Sequence, residues 1–212
     1  MTTLTAMKAR IASELRRSDL TTQIASAIST AIEAHRDERW FWTERRDVTF
    51  TTVIDQEFYD SDDQAQIANL IKIDYLKLIV GNTVFDLLPD HPAEIEGAST
   101  NATSTGQPGW FVFYQRQIRL YPIPAGAWTV RIAGQFIYAA PATDDEADNF
   151  WMTKAERLVR SRAKYELALH VLRDTALAQT MATATTEALD QLKRETNKLT
   201  QWAGGRVRPM YC

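Results

Sequence analysis

The residues best equipped for chemistry in this chain are carboxylates: Asp55, Glu57, Asp60, Asp62 and Asp63 crowd into the stretch "DQEFYDSDD". Such a run could hold a divalent cation, because hard cations gather several carboxylate and carbonyl oxygens. The spacing does not build that site. An EF-hand loop needs a glycine at its sixth position and a bidentate glutamate at its twelfth, and both are missing. The stretch reads as a solvated acidic connection, and neither a metal nor a cofactor is expected.

Nucleophiles and proton carriers are too scattered to cooperate. His35, His91 and His170 are far apart, and the single cysteine is Cys212. His170 falls among apolar residues in a helical stretch and is expected in a core or an interface. There is no P-loop, no G-x-S-x-G, no H-E-x-x-H and no cysteine-histidine cluster. Catalysis is not expected. The basic run "KAERLVRSRAKYE" carries Lys154, Arg157, Arg160, Arg162 and Lys164. At 3.6 residues per turn these spread over more than one face, so they make no clean phosphate-tracking stripe. A solvated or salt-bridging face is the plainer reading, with Glu156 and Glu166 as local partners.

Charge and composition narrow the class further. The net charge is −3, which argues against a general nucleic-acid binder. From Asp47 to Thr105 there are eleven acids against two lysines, whereas Gly106 to Pro141 holds three arginines and no acid. One part of the surface is therefore strongly negative. No run reaches the roughly 18 apolar residues of a membrane span, and the start lacks a secretory pattern. With one cysteine, an intracellular reducing setting is expected.

The elements that carry these residues change period twice. Leu4, Met7, Ile11 and Leu15 mark one helical face, and Leu20, Ile24, Ile28 and Ile32 mark a second, with Ser18 or Asp19 as its expected N-cap. Trp40, Phe41 and Trp42 form an aromatic knot, read either as an anchor into the core or as a protomer contact. From Val48 the period is two. "VTFTTV" reads as a strand, "LIKIDYLKLIV" as a strand with a parity slip typical of a β-bulge, and Gly81-Asn82 as a hairpin turn into "VFDLLP". "WFVFY" and "QIRLYPIP" read as a hairpin around Gln115-Arg116. Ile118 to Tyr138 is expected to form a further hairpin projecting from the body, with Pro122 and Pro124, which cannot donate to a ladder, in its turn or on an edge. Helical period returns at Trp151 and again from Leu177 to Trp202, ended by Gly204-Gly205.

The predicted fold is α+β, mainly α. A helical bundle from residues 1–46 and 148–203 carries an antiparallel β-rich insertion at 47–141, and 204–212 form an extended C-terminal tail. That tail, "GGRVRPMYC", is richer in apolar and aromatic residues than a plain disordered end. Burying Val207, Met210 and Tyr211 would contribute about 1.5–3 kcal/mol each. Ordering the backbone costs about 1–2 kcal/mol per residue. A single tail is then marginal, and many tails on one ring would gain by effective concentration.

Four stretches together resemble the head-to-tail adaptor proteins of tailed bacteriophages, including the tail tubular A-type gatekeepers of short-tailed phages. They are the opening helical pair running through "ERWFWTE" into "VTFTTV"; the strand pair ending in "TVFDLLPDHP"; "PGWFVFYQRQIRLYPIPAGAWTVRIAGQFIY"; and "ATDDEADNFWMTKAERLVRSRAKYELALHVLRD". The acidic loop "DQEFYDSDDQAQ" is longer and more charged than that family's pattern. The resemblance implies a structural virion protein at the head-to-tail junction. It would form a ring, typically of twelve subunits, beneath the portal protein, extend the DNA channel without sequence-specific DNA binding, and dock a tail or nozzle component, with no membrane partner. On this reading Arg206, Val207, Arg208, Pro209, Met210 and Tyr211 dock on the portal. Trp40, Trp42, Tyr121, Pro122, Pro124 and Trp128 would touch a neighbouring protomer or tail component. Two rival readings remain open. A carbohydrate- or ligand-binding module would display Trp110 and Trp128 on one exposed face, and a nucleic-acid-binding accessory protein would use the basic helix.

Overall fold

The computed structural model describes residues 3–99 and 104–200. The chain divides into two compact units, one from Trp42 to Tyr138 and one from the segments on either side of it.

The helical unit opens with α1 (Leu4–Leu15), whose N-cap Thr3 accepts a hydrogen bond from the Ala6 amide at 3.2 Å. Met7 and Ile11 are fully buried on its inner face. Arg16 then adopts a left-handed conformation and ends the helix. In α2 (Thr21–His35) the stripe Leu20, Ile24, Ile28 and Ile32 is buried together with Ala27 and Ala31. Asp19 does not cap it: its carboxylate pairs with Arg17 at 2.7 Å, and that hydrogen bond holds its pKa down at about 2. The C-terminal half begins at α4 (Phe150–Thr153), where the Asn149 side chain accepts from the Trp151 amide at 3.0 Å. It continues through α5 (Glu156–Glu166), a π-helical turn at Leu167–Leu172, and the long α6 (Thr175–Thr200). The expected single helix from Trp151 is thus broken between α4 and α5. α5 packs on α2 and α6, and its inner face buries Leu158, Val159 and Ala163.

The second unit corrects the predicted fold class. It is no small antiparallel insertion on a mainly helical bundle but a seven-stranded sheet with its own core. Its strands are β1 (Glu44–Thr51), β2 (Phe58–Tyr59), β3 (Leu70–Val80), β4 (Thr83–Pro89), β6 (Trp110–Tyr114), β7 (Gln117–Tyr121) and β9 (Thr129–Phe136). The order across the sheet is β1-β9-β3-β4-β6-β7-β2, with β4 and β6 parallel and the other pairs antiparallel. A short α3 (Pro92–Ser99) follows β4, and β5 (Thr105–Gly106) pairs in parallel with β8 (Ile123–Pro124).

Within this unit the sheet curls until its outermost strands meet. Phe50 of β1 and Tyr59 of β2 stand 4.8 Å apart between ring centroids. Gln64, which follows β2, donates to the Thr49 carbonyl of β1 at 2.6 Å. Register shifts on both neighbours of β9, between Arg45 and Val48 and between Ile73 and Tyr75, provide the bend.

The expected hairpin at Ile118 to Tyr138 does not form. β7 pairs with β6 and β2, whereas β9 lies between β1 and β3. The intervening chain is not a turn, because Ile123–Pro124 is itself paired with Thr105–Gly106. Thr52 then secures the approach to β9: its amide donates to the Trp128 carbonyl and its hydroxyl to that of Gly126, each at 2.8 Å. The shorter hairpins do form, with Gly81 at φ 58° between β3 and β4, and Gln115 and Arg116 both left-handed between β6 and β7.

This packing can be tested at two residues. A Cβ on Gly134 would fall inside the van der Waals radius of the Lys72 carbonyl oxygen, which is backbone and cannot turn aside. Gly134→Ala should therefore cost about 3 kcal/mol or more, seen as a lower urea midpoint, while Gly97→Ala, where a Cβ meets open space, should stay within about 0.5 kcal/mol. The other residue is His35, neither of whose ring nitrogens has a hydrogen-bond partner among the described residues. Burial lowers its pKa below the ordinary 6.5; Glu38 opposes the shift, and Arg162 and Lys193 add to it. The unfolded chain thus takes up this proton at higher pH than the folded one. The stabilisation is complete above pH 6.5 and erodes as pH falls below it. Helical ellipticity in urea should show that loss between about pH 7 and 5, and His35→Gln should flatten it.

Candidate interaction surface

Side chains able to meet a partner gather mainly on the β unit. "WFVFY" is apolar at both parities, and the core takes Phe111 and Val112 but leaves the two ends of the strand outside. Phe111 is buried, while Trp110 is 43% and Tyr114 63% exposed. Trp110 stands across from Tyr121 at 6.3 Å between ring centroids. Leu88 on the adjoining β4 and Phe58 on β2, beyond β7, are also exposed. Pro92, Val112, Tyr114 and Gln117 line a shallow depression of about 90 Å³ with Phe58, Glu96 and Arg119.

Arg119 organises that depression. Its side chain, 13% exposed, pairs with Glu57 at 2.5 Å, reaches Glu96 of α3 at 3.9 Å and lies 5.3 Å from the centre of the Phe58 ring. The guanidinium thus ties β7 to the segment entering β2 and to the helix after β4. The neighbouring acids are used in the same way. The Asp60 amide donates to Asp63, the Asp62 amide to Asp60, and the Gln56 side-chain amide to Asp63, all within 2.8–3.0 Å. Carboxylates that read as a candidate cation loop therefore shape the loop's own backbone.

The residues expected at a protomer or tail contact are divided between the two units, and none of the six is exposed. Trp40 has no exposed surface and donates its indole N–H to the His35 carbonyl at 3.1 Å, closing the end of α2. Trp42, in the other unit, is 8% exposed. Their burial supports the anchoring reading. Tyr121 and Pro122, joined by a cis peptide, are half-buried, Pro124 is buried, and Trp128 packs onto the core cluster. Trp110 and Trp128 accordingly do not form the exposed pair that a sugar platform requires. Arg206, Val207, Arg208, Pro209, Met210 and Tyr211 lie outside the described residues.

The basic helix is largely neutralised within its own unit. Arg160 and Lys164 converge on Glu14 of α1 at 3.1 and 2.8 Å, Arg160 also meets Glu156, and Arg162 pairs with Glu166. Partial burial pushes the Glu14 carboxyl up, but the Lys164 hydrogen bond and the charges of Lys164, Arg160 and Arg10 together outweigh it, leaving it below the ordinary value. Arg157 reaches Glu187 and Gln191 of α6. These arginines fasten helices to one another. His170, expected in a core or an interface, has a side chain 67% exposed and only grazes Glu166 at 3.4 Å.

Sequence reasoning missed Phe58, Tyr114 and Arg119. Their signal was available in a strand apolar on both faces, with an arginine facing it on the next strand. Arg119→Met should cost about 2 kcal/mol, because Glu57 is left partly buried without its cation. Adding Glu57→Met should recover part of that cost, and urea unfolding of the two single variants and the double variant measures the coupling.

No curated protein matches the chain significantly. A model of the family described as SU10 adaptor protein matches residues 2–209. The match spans both units and every described element. The chain belongs to the SU10 adaptor protein family, and its role is that of a structural adaptor in a bacteriophage particle.

Proposed function

We propose that this chain is a head-to-tail adaptor that forms a ring, of twelve subunits, beneath the portal of the DNA-filled head. The ring extends the DNA channel and docks the next tail or nozzle component. The observation that carries this reading is the family match along nearly the whole chain. The distribution of surface chemistry supports it. The helical unit spends its cations on internal ion pairs, while the β unit keeps Phe58, Leu88, Trp110 and Tyr114 exposed. A wall rich in carboxylates repels the phosphate backbone, so DNA passes along it without sequence-specific binding.

In this arrangement the tail from Arg206 to Tyr211 docks on the portal, each copy weakly and the ring strongly. Mixing the purified chain with portal rings and viewing the mixture by negative-stain microscopy tests the reading. Collars seated on portals are expected; bare portals beside dispersed monomers would contradict it. Truncation after Ala203 should preserve the circular dichroism spectrum and abolish the collars. Undiminished attachment of the truncated chain would remove the tail from the interface.

A further inference from the structure

The pairing registers put Phe58 of β2, Arg119 of β7 and Val112 of β6 in one row across the sheet, with Gln117 and Tyr114 paired in the next row out. Side chains paired in this way project from the same face. It is the outward face, since their chain neighbours Tyr59, Ile118 and Phe111 enter the core. Val112 and Arg119 form the floor of the depression of about 90 Å³, the rings of Phe58 and Tyr114 stand at its sides, and α3 adds Pro92 and Glu96 as a further wall.

That size decides what can enter. Small-molecule sites run to roughly 300–1,000 Å³ and enclose most of their ligand. This depression is shallow, and its volume is that of about three waters, which is room for one apolar side chain. Its sides are rings left in solvent, Phe58 at 47% and Tyr114 at 63% exposure. Aromatic side chains around a small socket are the anchor points of protein interfaces.

Charge decides which protein. Arg119, the cation on the floor, is already matched by Glu57. Glu96 on the wall keeps its side chain 72% exposed and reaches Arg119 only at 3.9 Å, and Asp60 borders the site, accepting from Gln117 at 3.3 Å. The unit from Trp42 to Tyr138 holds twelve acids against seven lysines and arginines, so the same unit of a second copy would be repelled. We propose that this socket takes one apolar side chain from an arginine-bearing segment of a different virion protein. The segment's guanidinium groups stack on the rings of Phe58 and Tyr114 and pair with Glu96 and Asp60. Arg119 already shows the first of these contacts, 5.3 Å from the centre of the Phe58 ring. A single socket is a weak site, which becomes strong when every copy in a ring offers one. The inference rests on the adaptor reading and deepens it by naming the partner's chemistry.

Two measurements on the free chain and on purified particles test it. Hydroxyl-radical oxidation of Phe58 and Tyr114, read by mass spectrometry, should fall about fivefold or more from the free chain to the particle, because the core of an interface is closed to solvent. A photo-reactive benzoylphenylalanine in place of Tyr114 should, in assembled particles, crosslink to a segment of a different virion protein that carries arginine beside an apolar residue. Crosslinks to a second copy of this chain, its residues 201–212 included, or to a segment lacking arginine, would overturn the proposal. So would unchanged oxidation in a particle that contains the chain at its junction, an outcome that leaves the adaptor reading standing. A particle lacking the chain at that junction would end both.

Discussion

The close approach of β9 to β3 at Gly134 is the constraint on which the β unit depends. Only a residue without a Cβ lets the backbone there come against the carbonyl of Lys72. The approach coincides with the register shift between Ile73 and Tyr75, and a second shift lies across β9 on β1. Extra residues on the neighbours of one strand bend a sheet and increase its twist. The bend brings Phe50 against Tyr59, so strands at opposite ends of the order share one core.

The helical unit solves a different problem. Its inner face is built from Met7, Ile11, the isoleucine stripe of α2, Trp40 and Trp151, all buried. Its outer charges are spent on fastening, with Glu14 of α1 receiving two cations from α5. Exposed ion pairs are each worth little, but a partly buried cluster in which one acid serves several cations resists the sliding of one helix past another. A body of this kind suits a structural adaptor, which has to hold its shape while other proteins pull on it.

Local features were legible in the sequence and long-range pairing was not. The stripe Leu20, Ile24, Ile28 and Ile32 forms the buried face of α2, and Gly81-Asn82 and Gln115-Arg116 form their hairpins, because periodicity and turn chemistry act within a few residues. The parity slip in β3 marked its bulge for the same reason. Alternation shows that Ile118–Tyr121 and Trp128–Phe136 are strands but not which strands they join. Proximity in sequence suggested a hairpin, whereas β9 became central because its last residues are buried on both faces. That one reassignment turns an antiparallel insertion into a curled seven-stranded unit. The candidate surface was half legible for a related reason. Hydrophobicity identified Trp40 and Trp42 as important, but packing, which the pattern does not encode, put them inside and left Tyr114 and Phe58 outside.

These surfaces make sense when the chain is one part among others, shaped to be held by neighbours. The most direct measurement is a cryo-electron microscopy map of the intact particle at the capsid-to-tail junction, with no symmetry imposed beforehand. The account predicts density for both units of this chain in a closed ring between the portal and the next tail component. A map whose junction is built entirely from other proteins would contradict it.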